Sequence, residues 1–136
     1  MASGEEQGPD EIVYRRIAES SARQGWINEA GNAGVAAFLP NKGDTDGLSL
    51  DRGNAAEAAA RGRMGKKYYV IPIRVAEIRK ENLPFHVDGE THASLEGWTF
   101  ARRDSEDVRS GAEYLASICG KPEGPFDGQT EVPQNQ

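Results

Sequence analysis

The chain has one cysteine, Cys119, and two histidines in 136 residues. A single thiol excludes an internal disulfide framework and any cysteine-rich zinc site. Two histidines without a cysteine cluster leave too few ligands for a structural zinc. Basic residues are in deficit as well: 16 Lys and Arg stand against 22 Asp and Glu, giving a formal net charge of −6. A general duplex-DNA binder needs a net basic face to displace counterions, so that class is set aside. No apolar run approaches the ~20 residues of a membrane span. The first ten residues are polar and acidic, with no apolar centre of the kind a secretion signal needs. These absences predict a soluble, cytoplasmic protein that does not engage membranes.

What is present is concentrated in the middle. Residues 1–10 and 121–136 are rich in Gly, Pro, Glu and Gln and hold too little apolar surface to offset the entropy of ordering, so both are expected to be flexible tails. Phe126 and Val132 are the tail side chains able to dock. The intervening residues 11–120 form one globular domain, large enough to bury a core. Ile118-Cys119-Gly120 places the thiol at a helix end, where a buried cysteine behaves as a small hydrophobe.

Along this segment, Glu11-Ile12-Val13-Tyr14-Arg15-Arg16-Ile17 is β-branched and aromatic and reads as a first strand. An apolar run over residues 33–39 stops at Pro40 and gives way to a polar loop over 41–47. Leu48-Ser49-Leu50-Asp51 alternates with period two, as a half-buried strand does. Asn54 caps a short alanine-rich helix over 55–61. Residues 68–75 are the strongest strand. Pro72 has no N–H for a ladder, so this strand is placed at an edge or carries an irregularity. A helical turn over 76–82 ends before Pro84, residues 92–100 read as another strand, and Asp104 or Ser105 caps a last helix whose Val108, Ala112, Leu115 and Ile118 share one face. Trp26 and Trp98 are anchors of the core or of a pocket wall. The intervals are too short for several βαβ crossovers, so the expected class is compact α+β: short, mostly antiparallel strands, one or two small helices and a C-terminal helix.

Four residues carry the chemistry. Arg15 and Arg16 face opposite sides of their strand, and either guanidinium would grip a phosphate or carboxylate in a two-pronged hydrogen bond; Arg15 shares the core-facing parity of Val13 and Ile17, where it needs a partner. Ser49 is placed to donate to a ligand, although no Gly-x-Ser-x-Gly elbow marks it as a nucleophile. Histidine is the side chain suited to proton transfer in the physiological range, and His92 sits beside small residues that leave room for a ligand, which makes it the candidate catalytic group. A calcium loop is not supported: setting Gly47 as the invariant glycine of an EF-hand puts Lys42 at the first ligand position and Gly53 at the twelfth.

The order Tyr14-Arg15-Arg16-Ile17, Trp26, Ala36-Ala37-Phe38, Asp46-Gly47-Leu48-Ser49 and His92-Ala93, over roughly residues 12–98, resembles a group of small uncharacterised bacterial proteins with matching segments. That resemblance implies no activity. The order Arg15, Ser49, His92 is also similar to that of ADP-ribosyltransferase-like domains. There such residues bracket a nicotinamide dinucleotide, and Glu90 or Glu96 lies near the place of the expected catalytic glutamate. Two classes of function follow. One is an enzyme or ligand-binding domain for a nucleotide, dinucleotide or other phosphate-containing ligand, with Arg15 or Arg16 on the phosphate, Ser49 orienting the ligand and His92 as acid, base or donor. The other is a non-catalytic accessory or immunity-type module whose acidic surface binds a basic protein partner.

Overall fold

The computed structural model describes residues 11–131. The tail expected over residues 1–10, and residues 132–136 of the other tail with Val132, lie outside them. Six strands form one sheet: β1 (Ile12–Ala18), β2 (Gly47–Asp51), β3 (Lys67–Arg74), β4 (Phe85–Val87), β5 (His92–Glu96) and β6 (Glu123–Asp127). Their order is β4-β5-β2-β1-β3-β6, and every strand pair is antiparallel. Four α-helical segments, α1 (Glu19–Ser21), α2 (Ala55–Ala60), α3 (Val75–Lys80) and α4 (Glu106–Ile118), complete an α+β domain with short 3-10 turns at Val35–Phe38 and Phe100–Arg102. Among the described residues no helix is long and apolar enough to cross a membrane.

The period-two pattern of the strands divides the sheet into unlike faces. On one face Val13, Ile17, Leu48, Leu50, Ile71, Ile73, Ala93 and Leu95 are buried, and they pack in one cluster with Phe38, Ile78, Trp98, Val108, Ala112 and Leu115. The other face has only a small apolar patch, Tyr14 and Val70 under Ala58 and Ala59 of α2. Alanine suits that helix because its small side chains let it lie close to the sheet. Asn54 fixes its start by a capping box: its Oδ1 accepts from the Glu57 N–H at 2.8 Å, and its own N–H donates to Glu57 Oε1 at 3.0 Å. Beyond α2 the same face presents Ser49, Ser94 and His92.

Several boundaries differ from the sequence reading, each for a local reason. Strand β3 is interior, between β1 and β6, yet its pairing with β6 covers only Lys67 to Val70 and shifts register between Tyr68 and Val70. Pro72 lies past that stretch, and its carbonyl accepts from Gly120 on the side away from β1, so its missing N–H breaks no ladder. The domain limit at residue 120 is corrected: residues 123–127 form β6, and bridges Met64↔Gly128 and Arg63↔Thr130 hold the chain beyond it. Phe126 packs against the Tyr14–Val70 patch, which anchors a segment otherwise poor in apolar surface. Strand β5 ends at Glu96 rather than running to Phe100, because Gly97 turns the backbone at φ +80° and directs Trp98 into the core. The Phe85–Val87 strand had no period long enough to announce it. Cys119 follows α4 half-buried, and burial raises its thiol pKa.

Candidate functional site

The alternation of Leu48, Ser49 and Leu50 buries the two leucines and turns the serine to the opposite face. Ser49 is the register partner of Ser94, and Asp51 of His92, so His92 is the diagonal neighbour of Ser49 on that face. An imidazole is long enough to cross the diagonal. His92 Nε2 and Ser49 Oγ are 2.6 Å apart. On the far side of the ring, His92 Nδ1 lies 2.6 Å from Asp88 Oδ1, in the turn that joins β4 to β5. The Asp88 N–H donates to the His92 carbonyl, which closes this turn and sets the carboxylate against the ring. A hydroxyl, an imidazole and a carboxylate thus stand in line, with 40% of the His92 and 35% of the Asp88 side chain exposed. The arrangement lets a carboxylate hold the Nδ1–H tautomer, leaving Nε2 to accept the serine proton.

Backbone groups of Ser49 are held from below. Strands β1 and β2 register only at Tyr14↔Asp51, and side chains replace the ladder beyond that pair. Arg15, on the core face and 3% exposed, donates from Nη1 to the Ser49 carbonyl at 3.0 Å and from Nε to the Ala37 carbonyl at 3.0 Å. Its Nη2 reaches Asp44 Oδ2 at 3.4 Å. Asp44 in turn accepts from the Ser49 N–H at Oδ1 and from the Asn41 N–H at Oδ2. Burial lowers the Arg15 pKa, and the charge and hydrogen bond of Asp44 oppose that shift. The core-side arginine therefore has its partner, and its guanidinium is spent on the scaffold rather than presented to solvent.

Arg16 lies on the face of Ser49. Its Nη1 donates to Asp51 Oδ2 at 3.0 Å and to the Ala58 carbonyl at 3.1 Å, with the Tyr68 ring 5.8 Å away. Asp51 also faces Arg61, whose Nη1 is 3.5 Å from Oδ1. Burial raises the Asp51 pKa, and Arg16, Arg61 and His92 counter it.

Two cavities meet at Ser49. One, of about 200 Å³, is lined by Asp88, His92 and Ser94 and by the loop Gly43 to Gly47. The other, of about 240 Å³, lies toward Arg16, Asn41 and Asp51. The structure thus joins Ser49 to His92 directly and sets Arg16 at the other end of the cleft; Arg15 also lines the second cavity, with its donors engaged by Ala37, Ser49 and Asp44. Glu90 and Glu96 are exposed and line neither cavity. Asp88 is the residue that sequence reasoning missed. A carboxylate four positions before the histidine, across Gly89-Glu90-Thr91, was the available signal. Among the described residues no group of three or more His, Cys, Asp or Glu side chains is arranged to hold a metal ion. No protein-family model, curated protein or solved structure matches the chain.

Proposed function

We propose that this chain is a small hydrolase of ester bonds in which Ser49 is the nucleophile, His92 the proton carrier and Asp88 the group that orients it. The observation that carries this reading is the chain of two 2.6 Å contacts from Ser49 Oγ through the imidazole to Asp88. A free serine hydroxyl is a weak nucleophile, and an adjacent base held in one tautomer is what activates it. As Oγ attacks the ester centre, His92 Nε2 takes its proton, and the imidazolium then protonates the departing alcohol oxygen. Water repeats the sequence in reverse: it gives a proton to His92, attacks the ester formed on Ser49, and Oγ leaves with the proton from Nε2.

The competing account, an acidic module for a basic partner, draws on the net charge of −6. Two of the acids nearest the cleft contribute little to an exposed acidic surface, because Asp44 and Asp51 are buried and paired with arginines. The test is turnover of a series of p-nitrophenyl carboxylic and phosphate esters by the wild type and by Ser49→Ala, His92→Gln and Asp88→Asn, with circular dichroism to verify folding. The proposal expects losses on the order of 10²–10⁴-fold in each variant. Wild-type turnover surviving in His92→Gln, or no turnover of any ester by the wild type, would refute it.

A further inference from the structure

The groups around the Arg16 end of the cleft differ in one respect: the acceptors are satisfied and donors are left over. Both Asp44 oxygens accept, Oδ1 from the Ser49 N–H and Oδ2 from the Asn41 N–H and Arg15. Both Asp51 oxygens face a guanidinium, Oδ2 that of Arg16 and Oδ1 that of Arg61. The carboxylates are thus neutralised in place. Arg16, by contrast, spends only Nη1, on Asp51 and the Ala58 carbonyl; its Nε and Nη2 have no hydrogen-bond partner among the described residues. Asn41 uses its N–H on Asp44 and its side-chain oxygen on the Gly43 N–H, and its amide nitrogen likewise has no partner among them. Arg16 and Asn41 line the same cavity of about 240 Å³, and Ser49 is part of its wall.

We infer that this cavity is an anion subsite that seats a phosphate group of the ligand, held by the free edge of the Arg16 guanidinium and the Asn41 amide. Nε and Nη2 form a planar fork matched to two oxygens of one phosphate, and the fixed Nη1 contacts preorganise that fork. The subsite stands on this donor inventory. Its consequence for substrate, an ester carrying a phosphate beside the bond that Ser49 attacks, rests on the hydrolase reading above.

The probe is inorganic phosphate, titrated calorimetrically into the full chain, with chloride and acetate at matched ionic strength as controls. Phosphate binding is expected in the wild type, weakened about tenfold or more by Arg16→Gln, since a hydrogen bond to a charged group is worth at least that factor. Arg16 also braces Asp51, so a second variant guards against a folding defect. Asn41→Asp on the exposed turn keeps the oxygen that accepts from Gly43, replaces the donor with a negative charge, and is expected to weaken phosphate severalfold. Phosphate heat no greater than that of chloride or acetate, or equal affinity in the wild type and Asn41→Asp, overturns the subsite. Arg16-dependent phosphate binding by a chain that hydrolyses no ester leaves the subsite standing and removes the hydrolase.

Discussion

Ser49 and His92 are diagonal rather than opposite neighbours across β2 and β5, and their side chains still meet at 2.6 Å. The directly opposite partner of Ser49 is Ser94, too short to reach far, and the opposite partner of His92 is Asp51, already held by two arginines. The ring is left to lean toward Ser49, and Asp88 fixes it there from the turn. The proposed site thus sits on the polar face of a sheet whose other face builds the core.

The scaffold under Ser49 should be costly to break. Asp44→Ala strips the partner from a buried Arg15 and frees the Ser49 and Asn41 N–H groups. We expect a loss of about 3–5 kcal/mol in urea unfolding, the usual range for an abandoned buried charge. Removing both charges together, in Arg15→Met with Asp44→Asn, should cost less than the sum of the two single changes.

A helix position will respond against its intrinsic preference. Alanine exceeds glycine by about 1 kcal/mol in a helix interior, yet a Cβ on Gly111 of α4 would overlap the six-membered part of the Trp98 ring, itself 2% exposed. Gly111→Ala is expected to destabilise the fold by about 1–3 kcal/mol, as overpacking does. Chemical denaturation checks this, and a stabilised variant would place Trp98 elsewhere.

Asp51 gives stability a pH dependence of definite sign. Burial raises its folded-state pKa above the ordinary aspartate value, despite Arg16, Arg61 and His92. The folded state then binds the proton more tightly than the unfolded state, and the stability this contributes is present below the unfolded pKa. It is lost as pH rises through the folded pKa. Comparing Asp51→Asn with the wild type by denaturation across the acidic range should show that falling component in the wild type alone. Carboxyl NMR should place the Asp51 midpoint above that of an exposed aspartate.

Much of the fold was legible because its signals are local. Alternation at Leu48-Ser49-Leu50 gave the faces of β2, and Asn54 gave the start of α2. Parity put Arg15 toward the core, but its partner Asp44 sits 29 positions away in a loop, and no local pattern pairs them. Strand β6 escaped because Gly124 and Pro125 read as tail, while its pairing with β3 and the docking of Phe126 are long-range. Asp88 escaped for a related reason: only the β4–β5 turn, itself unforeseen, brings its carboxylate to the imidazole.

The most direct measurement is covalent capture of Ser49 by a fluorophosphonate, read by intact mass and peptide mapping. Attack by Oγ displaces fluoride and leaves a phosphonyl ester on the serine, and only a hydroxyl activated by its base reacts at a useful rate. The account predicts one adduct per chain, mapped to Ser49, absent in Ser49→Ala and slowed at least a hundredfold in His92→Gln. A wild-type chain that acquires no adduct, or one that labels at the same rate when His92 is glutamine, would contradict it.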